Sequence, residues 1–105
     1  METICIVLDP EKMSNPDLDI RYILPDRVDE FTEGKAFDNG YDYLPDSRMV
    51  IWLDTEDSAK YAEEVIRLIS SEKILDNDLT TSAEVYISPL DCAELEQCTK
   101  VFPVE

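Results

Sequence analysis

Histidine is absent from this 105-residue chain, glycine occurs only at Gly34 and Gly40, and Lys plus Arg total nine. Each shortage excludes something. Without His, the commonest general base and nucleophile activator is missing, so Ser-His-Asp and Cys-His hydrolases are excluded in their usual forms. Two glycines leave no Gly-rich loop to cradle a phosphate and no flexible linker to divide the chain. The three cysteines, Cys5, Cys92 and Cys98, contain no C-x-x-C pair and are odd in number, which reads as free thiols in a reducing compartment. Tetrahedral zinc needs three or four Cys ligands here. Cys92 and Cys98 are six apart, about 600° around a helix and on different faces. Long apolar runs are missing too. Ile4–Leu8 is five residues with no basic residue before it, too short for a signal peptide or a membrane span, so the expected location is the cytoplasm.

What is present in excess is negative charge. Twenty-five Asp and Glu give a net charge of -16, while hydrophobic residues make up 44% of the chain. That apolar content is too high for an acidic disordered tail, and the length suits one domain, 1–105, with its own core. A compact domain carrying this charge repels itself, so the surface makes most sense opposite a basic partner. The same charge, with no basic stripe, argues against direct nucleic-acid binding.

Along the chain, Ile4–Leu8 reads as an interior strand ended by Asp9-Pro10. Ser14-Asn15-Pro16-Asp17 reads as a turn or a helix start, with Asn15 as cap. Asp19–Leu24 reads as a strand from the alternation of Ile20, Tyr22 and Leu24, although a helix fits nearly as well. Pro25–Phe31 then supplies one or two helical turns stopped by Gly34. Asn39-Gly40 between aromatic and apolar residues is the pair expected in a type I′ hairpin. Arg48–Leu53 is a second interior strand, in which Trp52 is expected to pack in the core alongside Cys5.

Asp54 or Thr55 is expected to cap the main helix, about 55–71, whose Ala59, Ala62, Val65, Ile66 and Ile69 form one stripe widened by Tyr61 and Leu68. On its exposed face Lys60 and Arg67 are spaced to pair with Glu63 and Glu64. Glu72, Asp76 and Asp78 fall in a solvated connection. Ala83–Ile87 is a strand, Leu90–Gln97 a short helix, and Lys100–Phe102 an edge strand. The expected fold is α+β, an antiparallel or mixed sheet of about four to six strands packed on one main helix with short additional helical turns.

Residues 9–46 hold eleven carboxylates against four cations, and most of the turn signals. Tyr22, Tyr41 and Tyr43 lie in the same stretch, and tyrosines beside acids suit a partner surface rich in Lys and Arg. The candidate partner-binding residues are Tyr22, Asp26, Asp29, Glu30, Glu33, Asp38, Tyr41, Asp42, Tyr43 and Asp46. No catalytic, cofactor or metal site is expected. Asp76-Asn77-Asp78 and Asp38–Asp42 lack the calcium-loop spacing and distal Glu. Pro25-Asp26 with Glu33-Gly34-Lys35 resembles the P-D…[D/E]-x-K signature of a metal-dependent nuclease superfamily, but the two parts stand too close for adjacent strands.

In size, charge, absence of His, and tyrosines and carboxylates at Tyr22 and Asp38–Asp46, the chain resembles the small bacterial immunity proteins that neutralise nuclease toxins. The resemblance implies a cytoplasmic, non-enzymatic inhibitor that binds a basic cognate toxin domain without membrane or nucleic acid. The alternative is an acidic DNA-mimic regulator, whose carboxylates occupy the surface of a DNA-binding protein. Carboxylates spaced along one face with few aromatics would suit mimicry; a compact patch centred on tyrosines would suit the toxin inhibitor. A third reading is a carboxylate enzyme using a divalent metal.

Overall fold

In the computed structural model, which describes residues 1–103, five antiparallel strands form one open sheet and two helices pack on one of its faces. The elements are β1 (Glu2–Leu8), α1 (Ile20–Phe31), β2 (Ala36–Tyr43), β3 (Met49–Thr55), α2 (Ser58–Ser71), β4 (Ala83–Ser88) and β5 (Thr99–Phe102). The strand order is β2-β3-β1-β4-β5, which puts the most apolar strand at the centre. Among the described residues no helix is long and apolar enough to cross a membrane.

Alternation along the strands divides the side chains between two faces. Ile4, Ile6 and Leu8 of β1, with Ile51 and Leu53 of β3 and Val85 of β4, face the helices and are fully buried. Cys5 and Val7 of β1 and Val50 of β3 point the other way, into a smaller apolar cluster with Leu44, Trp52, Tyr86 and Leu95. The interior strands expected at Ile4–Leu8 and Arg48–Leu53 are therefore present, and β4 and the edge strand β5 follow the expected spans. Cys5 is buried as expected. Trp52 is only half-buried, because no helix covers its face of the sheet.

The strand expected at Asp19–Leu24 is a correction: it is the first half of α1. Ile20, Leu24 and Val28 recur at intervals of four and are buried against the sheet. The alternation of Ile20, Tyr22 and Leu24 was a by-product of that spacing. Pro25 lies inside the helix, where it lacks the N–H that would bond Arg21, yet its ring is buried against the core. The helix closes at Thr32. Glu33 and Gly34 both take positive φ, and the Gly34 N–H donates to the Asp29 carbonyl at 2.8 Å. Asn15 caps no helix in the described structure. Its N–H donates to Asn77 Oδ1 and its carbonyl accepts from Asn77 Nδ2, both at 2.7 Å.

The Asn39-Gly40 hairpin is also corrected. Both residues lie inside β2, at an irregularity where the register with β3 shifts between Asp38 and Tyr41. Gly40, at φ +96°, supplies the backbone conformation that a bulge requires, while the real turn joins β2 to β3 through Leu44–Arg48. A turn with two positive-φ central residues does exist, at Leu75 (φ 50°) and Asp76 (φ 65°), bracketed by reciprocal bonds between Ile74 and Asn77.

Asp57, not Asp54 or Thr55, caps α2. Thr55 is still paired in the sheet with Glu2, and Asp57 Oδ1 accepts from Lys60 N at 3.1 Å. The buried stripe is Ser58, Ala62, Val65, Leu68 and Ile69, so it is rotated from the expected one and leaves Ala59 exposed. Lys60 lies over the Tyr61 ring, and the ion pairs among the described residues do not include the expected ones with Glu63 and Glu64. Glu72 is no solvated loop residue, because Arg27 grips it with two bonds of 3.1 and 2.6 Å that tie α1 to the end of α2. The expected helix at Leu90–Gln97 reduces to a single 3-10 turn, Leu95–Gln97.

Candidate interaction surface

α1 lies over β2 and β3, so its outward face adjoins the helix-side face of the edge strand. This juxtaposition assembles the three candidate tyrosines. Tyr22 of α1 meets Tyr41 of β2 edge to face at 6.0 Å between ring centroids, and Tyr41 meets Tyr43 in the same way at 6.0 Å. Tyr41 and Tyr43 fall on one face because they are two apart in a strand. All three remain open to solvent, at 50%, 38% and 47% for Tyr22, Tyr41 and Tyr43.

Arg21 holds the cluster together. Its guanidinium lies 4.8 Å from the centre of the Tyr22 ring and 5.1 Å from that of Tyr41, and Nη1 donates to the Tyr43 hydroxyl at 3.4 Å. The guanidinium beside Tyr22 holds its phenol below the ordinary value, while Tyr22 raises that of Tyr41. Arg21 forms no ion pair among the described residues, and its Nε is buried without a hydrogen-bond partner. The cation is thus occupied by rings.

The carboxylates divide into groups. Asp26 and Asp29 follow Tyr22 at four and seven residues along α1, which places them on the same exposed stripe; Glu30 is exposed in the last turn and Glu33 just beyond the helix end. Asp38 pairs in register with Leu53 and so shares the helix-side face with Tyr41 and Tyr43. None of these five takes part in an ion pair among the described residues. Asp46 differs. It sits in the β2–β3 turn, bonded by Arg48 Nε at 2.9 Å and by the Arg48 N–H, and the latter bond first of all lowers its pKa.

Asp42 is separated from its tyrosine neighbours by strand alternation. It points to the opposite face, where Trp52 Nε1 donates to its Oδ2 at 2.9 Å. There it lines a groove of about 470 Å³ with Thr3, Asn39, Trp52, Cys92, Ala93, Glu94, Leu95 and Glu96. Sequence reasoning missed this groove because its far wall, 89–98, comes from the other end of the chain. Thr3 fastens that wall, donating from Oγ1 to the Leu90 carbonyl at 2.8 Å and accepting from Ala93 N at 3.2 Å.

Pro25-Asp26 lies in α1 and Glu33–Lys35 in the loop after it, so the nuclease-like pattern is not on adjacent strands. Among the described residues no three Cys, Asp or Glu side chains are grouped to hold a metal ion. Compared with protein-family models, curated proteins and solved structures, the chain matches none.

Proposed function

We propose that this protein is a non-enzymatic inhibitor that captures a basic protein, most simply an immunity protein that neutralises a cationic, nuclease-type toxin domain. The observation that carries this reading is the cluster of Tyr22, Tyr41 and Tyr43, three exposed rings packed on one another on a surface that also holds Asp26, Asp29 and Asp38, which form no ion pair among the described residues. Exposed aromatic anchors of this kind supply most of the energy in protein interfaces, and ordering them in advance reduces the entropy lost on binding. The surrounding charge speeds encounter with a basic surface. Arg21 opposes such a partner locally, but one ring-bound cation is small against a net charge of -16.

A tyrosine-centred patch supports the inhibitor over the DNA mimic, which needs a carboxylate array with few aromatics at the contact. The deciding experiment co-expresses this protein with the product of the gene immediately upstream and measures survival and complex formation. Protection that is lost when Tyr22→Ala and Tyr41→Ala are combined is the expected result. An upstream product that is harmless alone, or equally toxic with this protein present, would overturn the reading.

A further inference from the structure

The face of the sheet opposite the helices carries a groove over Trp52. Its lining contains three carboxylates, Asp42, Glu94 and Glu96, and no Lys or Arg. The indole is fixed in place, because Asp42 accepts its N–H, and the second oxygen of Asp42 keeps acceptor capacity. On the β2 side Asn39 donates to Asp54 Oδ1 at 3.1 Å, which brings a fourth carboxylate to the rim. On the far side the bonds from Thr3 and the Glu94 N–H···Gln97 Oε1 contact of 2.9 Å hold 90–97 as a firm wall.

An aromatic ring fixed among carboxylates, with no internal cation to neutralise them, selects a planar cation. Guanidinium stacks on indole and bonds carboxylates with a rigid fork of donors, whereas ammonium does only the second well. We propose that this groove receives an arginine side chain of the basic partner, stacked on Trp52 and bonded by Glu94, Glu96 or Asp42. The occupant rests on the reading of the partner as a basic protein. Asp42 belongs to edge strand β2, so a partner segment that wraps this edge reaches the tyrosine cluster on one side and the groove on the other.

The test is a titration of the full-length ¹⁵N-labelled protein with acetyl-tetra-arginine amide, alongside acetyl-tetra-lysine amide at the same charge. Expected are saturable shifts of the Trp52 indole N–H and of the backbone amides of Asn39 and 93–96. Binding should be at least about threefold weaker for the lysine peptide and about five- to tenfold weaker in a Glu94→Gln, Glu96→Gln variant, in which the amide at position 94 keeps the acceptor that caps the Leu95–Gln97 turn. Trp52→Leu should remove the preference for arginine. Equal binding of the two peptides, shifts centred on Tyr22 and Tyr41, or an unchanged affinity in the Glu94→Gln, Glu96→Gln variant would overturn the proposal. Neutralisation of the toxin with no arginine site would sink the groove alone, and arginine binding without neutralisation would sink the inhibitor reading alone.

Discussion

Tyr22 on α1 and Tyr41 on β2 are nineteen residues apart in sequence and meet at an interplanar angle of 88° with both rings in contact with solvent. A ring pair of this kind contributes little to the core beneath it. Tyr41→Ala is therefore expected to weaken capture of a basic partner by about 2 kcal/mol, roughly 30-fold, while lowering stability by less than about 1 kcal/mol. Calorimetric titration against the partner and thermal melting of the free protein separate the two quantities. A large drop in melting temperature would mean that the ring is structural.

Asn77 is wholly buried, and its side chain holds the Asn15 backbone at both ends while donating a further bond to the Leu75 carbonyl at 3.2 Å. Asn77→Ala removes three bonds made by a fully buried side chain, with an expected loss of about 2–3 kcal/mol. Urea denaturation measures it. Asn77→Asp should not restore stability, since a carboxylate offers nothing to the Asn15 carbonyl.

The same turn contains an opportunity for stabilisation. Asp76 is exposed at φ 65°, a conformation that costs an L-residue and costs glycine almost nothing. Asp76→Gly is expected to stabilise the fold by about 0.5–1 kcal/mol after the greater unfolded-state entropy of glycine is subtracted. Paired denaturation curves of the two proteins read it out directly.

Glu2 reaches from β1 to the start of α2, where its Oε1 accepts from both the backbone N–H and the hydroxyl of Ser58 at 2.8 Å. The Ser58 backbone bond, then the hydroxyl, lowers the Glu2 pKa below its ordinary 4.5. A depressed carboxylate pKa stabilises the fold fully above the unfolded value, and that contribution is lost as pH falls through the lower folded value. Glu2→Gln keeps an acceptor but loses the charge. Its melting temperature should lie below that of the unaltered protein at pH 7, and the gap should close as pH falls from about 5 to 3. A gap that stays constant over that range would show that the charge of Glu2 is irrelevant to the helix start.

Much of the sheet was legible because its interior strands are continuous apolar runs. Ile4–Leu8 and Val50–Leu53 had few other places to go, while in β4 Ala83, Val85 and Ile87 alternate with Glu84 and Tyr86. α2 was legible from its stripe, though displaced by a few tens of degrees, since Ala59 can sit equally well in or out of a core. α1 was not, because Pro25 is a usual helix boundary and the tertiary burial of Leu24, Pro25 and Val28 overrides that preference. At Asn39-Gly40 local turn chemistry was real but served a bulge. The site divided along similar lines. Tyrosines close in sequence were identified together, and strand alternation then moved Asp42 to the opposite face. The partners of Asp42 in the groove, from Thr3 to Glu96, span nearly the whole chain, and no local pattern joins them.

The central position of β1 has a consequence for how the chain reaches this structure. Ile4 pairs with Leu53 on one side and with Ile87 on the other, so β1, which precedes both neighbours in the chain, is satisfied only after β3 and β4 exist. Pairing at such separations is slow, and an apolar β-prone segment waits unpaired in the meantime. During that interval the carboxylates that dominate the rest of the chain repel neighbouring copies. The net charge of -16 thus also guards the chain against its own aggregation while it folds.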